Sequence, residues 1–470
     1  DVKNYRGITL LNTAYKIYAM ILDERLRKEM EARGMLPDGQ AGFRKGRGTM
    51  DNVYILRHLV GREIRKEGGR MYALFIDFKA AFDSVNREKM WEYLRRKGVD
   101  AYLVTKMEEI YEETVNTVRV NGIESESFYT NRGVRQGCPL SPALFAAYLG
   151  DIDEMFRKAQ TGGVVVGKEK VWSLAYADDL VIVAKKREEM KTMIKSFEKY
   201  VQKKELEVNV EKTKMVVFGK KVRKEKEEWA WRGKKIEQVK EFQYLGYTLK
   251  SNNSDRAHIQ EMVRKANKVI GIVWGIGERK FGHDYKRRMM MFDSLIKSVF
   301  MYGAEIWGWR EYEEIERVQE KYLKWTLGLE KYTPGYIVRE ETKREKMRVE
   351  AGKRAVGFEE KFSERGDCKI LQECWKEIRK EGGKHVWNER DKYYEGKGYA
   401  CEEIERMREM GRSMKEELSV RDKDIDKQER RSRISESRYN AEYRKIVKDE
   451  VPKYRERERE YKGEKNDGEI

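Results

Sequence analysis

The sequence predicts a mixed α/β fold, followed by a helical region and a highly charged end, and three observations carry this prediction. Short apolar runs rich in β-branched and aromatic residues, at residues 72–78, 172–174 and 180–184, are typical of strands. Apolar residues recur at helical spacing through residues 255–329. After about residue 340, charges of both signs dominate, and the last stretch lacks the apolar content of a core.

Composition limits the classes of molecule that this protein could bind and the compartment in which we expect it. The 470 residues include 101 Lys and Arg against 83 Asp and Glu, a net charge of +18, which favours nucleic acid first and an acidic membrane second. Four widely spaced cysteines indicate a reducing compartment without a disulfide framework. No long apolar run or signal peptide occurs, so we expect neither a membrane span nor secretion. Because the chain begins at Asp1, we expect it to be an excerpt of a longer one.

The first half of the chain alternates helical and strand patterns. We expect a β-prone stretch at residues 6–12, a glycine- and arginine-rich loop at 37–48, and a buried strand at 72–78. Strands are predicted at 117–120 and 127–130 around Asn121-Gly122, although that pair is offset from an ideal two-residue turn. The helices are predicted at 15–26, 53–64, 87–98, 101–114 and 139–156.

The centre of the chain is a hairpin whose turn carries Asp178 and Asp179. The pattern beyond it predicts a helix at 188–204, strands at 214–219 and 242–249, and a later helix at 401–418. Adjacent carboxylates offer hard oxygen ligands suited to Mg²⁺. An ordinary turn is the competing interpretation, because turns alone often select Asp.

A third carboxylate, Asp77, ends the strand at 72–78. Carboxylates gathered on adjacent strands suit two Mg²⁺ ions about 4 Å apart, the arrangement used for displacement at phosphorus. Taken alone, Asp77 is equally compatible with a helix cap at a strand end.

Seven short motifs occur in one order along the chain. They are Tyr5-Arg6-Gly7-Ile8-Thr9-Leu10-Leu11, Gln40-Ala41-Gly42-Phe43-Arg44-Lys45-Gly46-Arg47, Phe75-Ile76-Asp77-Phe78-Lys79-Ala80-Ala81-Phe82-Asp83, Arg135-Gln136-Gly137-Cys138-Pro139-Leu140-Ser141-Pro142, Tyr176-Ala177-Asp178-Asp179, Asn209 with Lys212-Thr213, and Tyr244-Leu245-Gly246. In this order they closely resemble the reverse transcriptases of non-LTR (LINE-like) retrotransposons, which are related to the group II intron enzymes. The resemblance covers roughly residues 1–330.

The resemblance implies a right-hand polymerase. Its parts would be fingers and palm over residues 1–250, a helical thumb over 251–335, and a charged, mostly helical or disordered extension over 336–470. It implies RNA-templated DNA synthesis at a DNA 3′-hydroxyl with dNTPs and two Mg²⁺ ions, Mn²⁺ being a substitute. A retroelement ribonucleoprotein of the cytoplasm and nucleus is the expected setting.

The resemblance also implies roles for individual residues. Asp77, Asp178 and Asp179 would be catalytic and, with Phe78, would hold the metal ions. The other implied roles are nucleotide binding by Arg6, Phe82, Gln136, Gly137 and Lys212, and primer or template contact by Arg44, Tyr244, Leu245 and Gly246.

Phe82 bears on the product. Five positions after Asp77, this family keeps an aromatic ring beneath the sugar, where a 2′-hydroxyl would clash. The implied product is therefore DNA, which disfavours an RNA-dependent RNA polymerase. A core phenylalanine is the competing interpretation, because Phe is usually buried.

Three alternatives remain beside this interpretation of the chain. No endonuclease pattern is present, which leaves open a domesticated or decaying copy that binds RNA without polymerising. Cys368, Cys374, His385 and Cys401 are spaced far more loosely than the ligands of a zinc knuckle, so zinc is disfavoured. For the mixed-sign tail, a solvated helix or disordered segment is favoured over nucleic-acid binding.

Overall fold

The protein is described here by a computed structural model that covers residues 8–112, 114–220, 228–282, 284–364, 368–380 and 388–447. The chain divides into two compact units. The first contains the described residues up to Gly246, together with Lys250–Asn253 and residues 368–377. The second contains Tyr247–Leu249 and the remaining described residues from Ser254 onward.

The strands are short. They are β1 (Met71–Ile76), β2 (Val115–Asn116), β3 (Arg119–Val120), β4 (Ile123–Glu124), β5 (Phe128–Tyr129), β6 (Val164–Val166), β7 (Glu169–Val171), β8 (Ser173–Tyr176), β9 (Asp179–Ala184), β10 (Lys214–Phe218), β11 (Trp229–Trp231), β12 (Lys234–Val239), β13 (Glu241–Tyr244) and β14 (Tyr247–Lys250). Six of them form the main sheet of the first unit, in the order β11-β12-β10-β1-β9-β8.

Strand β1 lies inside this sheet, and all six of its residues are buried. It pairs antiparallel with β9 on one side and with β10 on the other. A strand buried on both faces is expected to be continuously apolar rather than alternating, as β1 is. The predicted central strand at 72–78 is therefore confirmed, with its regular part ending at Ile76.

Within the described residues, seven helices lie wholly in the first unit: α1 (Thr13–Ala32), α2 (Thr49–Arg65), α3 (Arg87–Arg96), α4 (Ala101–Glu109), α5 (Ser141–Tyr148), α6 (Ile152–Lys158) and α7 (Arg187–Lys203). Side chains cap several of them, for example Asn12 at α1, Asn86 at α3 and Asp100 at α4. Each cap satisfies a backbone N–H that has no partner inside its helix. The predicted helices of this part are confirmed, apart from the one at 139–156 and the one at 101–114, which ends at Glu109.

Four further expectations about helices, strands and turns in residues up to 249 are corrected. Residues 8–12 form no strand, whereas residues 6 and 7 lie outside the described residues. The helix expected over 139–156 is two helices, α5 and α6, separated at Leu149–Asp151. The strand expected over 242–249 is two strands, β13 and β14, because Leu245 and Gly246 have φ of 48° and 79°, which a strand cannot accommodate.

The fourth correction concerns Asn121-Gly122. Val120 pairs with Ile123 in the β3–β4 hairpin, so these two residues form an ideal two-residue turn rather than an offset one. Both have positive φ, 51° and 83°, as the favoured hairpin turn requires.

The second unit is helical in its described residues outside Tyr247–Leu249, which belong to β14. Its elements are α8 (Arg256–Phe281), α9 (Tyr285–Met291), a π-helical turn (Phe292–Ile296), α10 (Lys297–Phe300), α11 (Ala304–Trp307), α12 (Glu313–Thr326), α13 (Gly335–Thr342), α14 (Met347–Glu364), α15 (Lys369–Lys380, whose residues up to Glu377 count with the first unit), α16 (Asn388–Glu395), α17 (Cys401–Glu409), α18 (Lys415–Glu436), a 3₁₀ turn (Arg438–Asn440) and α19 (Ala441–Ile446). The helix expected over 401–418 is α17, which ends at Glu409, with α18 beginning at Lys415.

The described part of the charged region forms packed helices. Rather than a solvated face, α14 packs on α18 and buries several charged side chains as ion pairs. Glu359 accepts hydrogen bonds from Arg390, Arg408 and the hydroxyl of Tyr394. Burial works against the charged guanidinium, but Glu359 and Glu405 hold the pKa of Arg390 well above its ordinary value.

One short segment of α15 belongs to the first unit. Glu377 pairs with His58 at 2.9 Å and with Arg62 at 2.8 Å, and it accepts from the backbone N–H of Gly167 at 2.9 Å. Burial raises the pKa of Glu377, but these three partners outweigh it and bring that pKa to about 2. The contacts tie the segment to α2 and to the β6–β7 hairpin.

Two further observations concern cysteines and membranes. None of the four cysteines, all within the described residues, forms a disulfide bond. Among the described helices, none is both long enough and apolar enough to cross a bilayer.

Candidate active site

Two of the three predicted carboxylates, Asp77 and Asp179, lie side by side at one edge of the main sheet. In the β1–β9 pair, Ile76 lies opposite Leu180, which brings the next residue, Asp77, beside Asp179. Tyr176 pairs with Asp179, so the turn of the β8–β9 hairpin consists of Ala177 and Asp178. Asp178 is therefore in the turn as expected, whereas Asp179 is the first residue of β9. Ala177, with φ of 58°, takes up the left-handed conformation of the turn.

A cleft of about 400 Å³ opens at this edge, within the first unit. Asp77, Asp179, Lys212 and Tyr244 are among the residues that line it. With Glu211 and Lys214, which also line the cleft, acidic and basic side chains share one concave surface. Such a surface can hold a divalent cation and an anionic ligand together.

The backbone of Asp77 is held by the segment that follows α7. Its N–H donates to the Thr213 hydroxyl at 3.2 Å, and its carbonyl accepts from the Asn209 N–H at 2.8 Å. The Asn209 side chain in turn accepts from the backbone N–H of Lys212 at 3.3 Å. The spacing of Asn209, Lys212 and Thr213 therefore has a geometric reason: it fixes Asp77 and brings Lys212 to the cleft.

The loop at 37–48 packs directly on the carboxylate hairpin. The Ala41 N–H donates to the Ala175 carbonyl at 2.9 Å, and the buried Asn52 side chain donates to the same oxygen at 2.9 Å. A Cβ on Gly42 would lie 2.4 Å from the backbone nitrogen of Ala177. Only glycine allows this approach of two backbones.

Gly42→Ala is expected to destabilise the first unit by about 1–3 kcal/mol, because backbone atoms cannot yield to the added methyl group. The unfolding temperature and the polymerase activity should both fall, because the displaced turn carries Asp178. Gly271→Ala is the control: its Cβ meets nothing within 4 Å in the middle of α8. That variant is expected to be neutral or slightly stabilising. Equal unfolding temperatures for both variants would contradict the packing argument.

The residues expected to bind the nucleotide form a second group. Phe82 is half-buried and stacks on Phe145, with ring centroids 4.8 Å apart at 14°. The Phe82 carbonyl accepts from Val134 at 2.8 Å, and two residues further on Gln136 donates to Asp83. Gly137 is exposed and has φ of 105°. Phe82, Gln136 and Gly137 are thus brought together.

Arg135 anchors this loop. Its guanidinium lies 5.0 Å from the ring centroids of both Tyr15 and Tyr111, and it donates to the Tyr15 hydroxyl at 2.5 Å and to the Thr114 hydroxyl at 3.0 Å. Burial raises the pKa of Tyr15, so that hydroxyl stays protonated. The anchor leaves the next residue, Gln136, at the surface of the loop.

The remaining predicted residues have different surroundings. The Arg44 guanidinium is committed to both oxygens of Glu31 and to the carbonyls of Pro37 and Gln40, so it supports its own loop. Tyr244 is buried and donates to the Leu174 carbonyl at 3.2 Å, and burial raises its pKa. Leu245 and Gly246 form the turn already described, and Arg6 lies outside the described residues.

The donor chemistry of the cleft fits a divalent cation. Asp77 and Asp179 present the hard oxygen ligands that Mg²⁺ prefers, and a phosphate-bearing ligand can supply further oxygens. In the described residues, no group of three or more His, Cys, Asp or Glu side chains is gathered closely enough to hold a metal by itself. Of the disfavoured zinc candidates, His385 lies outside the described residues.

A family model described as reverse transcriptase (RNA-dependent DNA polymerase) matches residues 1–249, more than half of the chain. The chain belongs to the reverse transcriptase family. The predicted resemblance to the enzymes of non-LTR retrotransposons is confirmed by the relatives of this reverse transcriptase.

Two relatives illustrate the match. The Pol polyprotein of the type-1 retrotransposable element R2 of Nasonia vitripennis is 29% identical over 44% of this chain and 20% of that protein. The RNA-directed DNA polymerase from the mobile element jockey of Drosophila melanogaster is 24% identical over 78% of this chain and 40% of that protein. The chain therefore spans well under half the length of these relatives.

Solved structures give a fainter likeness. The apo telomerase of Candida tropicalis aligns with a TM-score of 0.38 at 12% identity, covering 78% of this chain and 60% of that one.

Sequence reasoning missed three supporting residues of this reverse transcriptase. Asn52 holds the hairpin, Thr213 holds Asp77, and Asp83 contacts Gln136. Thr213 and Asp83 sit inside recognised motifs, so their motif positions were an available signal. No sequence signal pointed to Asn52, because a polar residue in an amphipathic helix ordinarily faces solvent.

Proposed function

We propose that this chain is an RNA-directed DNA polymerase that extends a DNA 3′-hydroxyl on an RNA template. The observation that carries the proposal is that Asp77 and Asp179 line one cleft with Lys212. Reverse transcriptases generally depend on divalent metal ions, and Mg²⁺ is the proposed ion here. No observation favours the alternative of a copy that binds RNA without polymerising.

The residues divide the work as follows. Asp77, Asp178 and Asp179, with the backbone of Phe78, would hold two Mg²⁺ ions. When bound, those ions would activate the 3′-hydroxyl and neutralise the charge of the leaving pyrophosphate. Lys212 would neutralise charge on the triphosphate.

Nucleic-acid binding is proposed from family membership and charge. A chain of net charge +18 attracts the phosphates of an RNA template and a DNA primer. Tyr244, Leu245 and Gly246 would support the primer terminus from the turn beside the cleft, and Arg44 would act on the template through the loop that it supports.

Primer extension tests the proposal directly. The whole chain, given a DNA primer on an RNA template with dNTPs and Mg²⁺, is expected to lengthen the primer, and addition of EDTA should stop the reaction. Tight primer–template binding without extension would instead support the non-polymerising alternative.

Phe82→Ala tests sugar selection. If the ring excludes a 2′-hydroxyl by overlap, dNTP incorporation should stay within about tenfold of wild type, a loss of roughly 1.4 kcal/mol in transition-state stabilisation. Incorporation of rNTPs should rise by at least as much, because relief of a clash discriminates between substrates. Steady-state extension with each nucleotide set on one RNA template measures both.

The stacking of Phe82 on Phe145 defines the result expected if Phe82 is only a core residue. If Phe82 serves only that stack, its removal should lower both activities together and reduce the unfolding temperature, as large-to-small core changes do. Phe145→Leu is the matched variant, since it weakens the stack and leaves the Phe82 ring in place. A joint loss in both variants would remove the argument for a DNA product.

A further inference from the structure

Asp83 contacts the side chain of a proposed nucleotide-binding residue. The amide nitrogen Nε2 of Gln136 donates to the two carboxylate oxygens of Asp83, at 3.3 and 3.1 Å. An ionised carboxylate only accepts hydrogen bonds, and in a carboxamide only the nitrogen donates. The orientation of the Gln136 amide is therefore determined by chemistry: its nitrogen faces Asp83, which leaves Oε1 as the acceptor for another group.

The two residues lie on segments whose backbones are locked together. The Val134 N–H donates to the Phe82 carbonyl at 2.8 Å. Gly133 has φ of 81°, and a Cβ there would lie 2.8–2.9 Å from backbone atoms of Asp83. Backbone packing therefore holds Asp83 and Gln136 close together, so their contact does not rest only on the rotamers of two surface side chains.

The backbone of Gln136 is also held on its other side. Its carbonyl accepts from the Thr9 N–H at 2.9 Å, and the preceding residue is Arg135, whose guanidinium is held by Tyr15 and Thr114. With the backbone fixed, the remaining freedom of Gln136 is in its side chain. Asp83 restricts that freedom.

We propose that Asp83 is a positioning residue, which turns the Gln136 carboxamide so that Oε1 accepts a hydrogen bond from a donor group of the incoming nucleotide. This rests on the proposed function, in which Phe82, Gln136 and Gly137 contact the nucleotide. In this arrangement Asp83 acts on the nucleotide through Gln136.

Substitutions that change the donor and acceptor pattern test the proposal. Asn at position 83 can both donate and accept, so Asp83→Asn no longer forces one orientation of the amide. The KM for dNTP is expected to rise about fivefold, the size of one ordinary hydrogen bond, with kcat nearly unchanged. In a Gln136→Ala background, which itself raises KM, the same change at Asp83 should have no further effect.

The most discriminating measurement uses a reversed pair, in which position 136 carries the carboxylate and position 83 carries the amide. Gln136→Glu places two carboxylates in contact and should raise KM by about tenfold or more through repulsion. Adding Asp83→Asn supplies an amide donor to the new carboxylate, whose second oxygen then remains an acceptor. The double variant is expected to return KM to within about twofold of wild type, less than the effect of one hydrogen bond.

Four outcomes overturn the proposal. A KM unchanged by Asp83→Asn, while Gln136→Ala raises it, removes the positioning role and leaves the proposed function intact. An equal effect of Asp83→Asn with and without Gln136, accompanied by a lower unfolding temperature, assigns Asp83 a structural role instead. Failure of the reversed pair to recover also contradicts it. Absence of extension by the wild-type chain overturns the proposed function and this inference together.

Discussion

Asp77→Asn is expected to reduce primer extension on an RNA template by at least about 10³-fold, roughly 4 kcal/mol of transition-state stabilisation. Asn keeps the shape of the side chain but lacks the charge needed to hold Mg²⁺ against its hydration shell. Asp178→Asn should have a comparable effect, whereas Asp179→Asn is expected to retain a trace of activity. Single-turnover extension with saturating dNTP measures all three.

The binding step separates loss of chemistry from loss of fold. Affinity for the primer–template duplex should stay nearly unchanged in Asp77→Asn, because binding to phosphates comes from the basic surface. Glu207→Gln is the matched control, since Glu207 is an exposed carboxylate of the same unit that pairs with Lys79. Activity near wild type for Asp77→Asn or Asp178→Asn would refute the assignment of the active site.

Glu359→Gln is expected to lower the free energy of unfolding of the second unit by about 3–5 kcal/mol. Glu359, Arg390 and Arg408 are 2%, 3% and 9% exposed, and both guanidinium groups donate to that carboxylate. Removing its charge leaves two buried cations that share Glu405, and Asp391 also pairs with Arg390 at 3.6 Å. Urea denaturation followed by circular dichroism measures the shift of the transition.

An exposed pair in the same unit supplies the control. Glu313 and Arg317 are paired on α12 with side chains 74% and 67% exposed, so Glu313→Gln should cost about 0.5 kcal/mol or less. Similar midpoints for the two variants would show that the buried cluster adds nothing to the stability of the second unit.

The sequence by itself determined the family and the strand ends that carry the proposed catalytic carboxylates. Asp77 follows an apolar strand, and Asp178 lies in a hairpin turn directly before Asp179, the first residue of the next strand, so strand periodicity and turn chemistry place each of them at a strand end. The motif around Lys212 was recognised from the same sequence, and Lys212 lies in the cleft. These features are local, so periodicity and turn chemistry suffice to find them.

Local signals were less reliable where backbone direction changes. The run at 139–156 has helical composition throughout, yet the chain turns at Leu149–Asp151, and the run at 242–249 turns at Leu245-Gly246. Leu245 has φ of 48° without being a glycine. Such a turn is imposed by the strands on either side, which composition does not reveal.

Tertiary structure alone decided which distant residues support the site. Gly42 meets Ala177, Asp83 meets Gln136, and Glu377 returns to the first unit across more than 300 positions of chain to meet Arg62. It also decided that Glu359 is buried, because a charged side chain leaves water only where enough partners gather around it. Periodicity reports which face of an element is apolar; it carries no information on the partner that the face will meet.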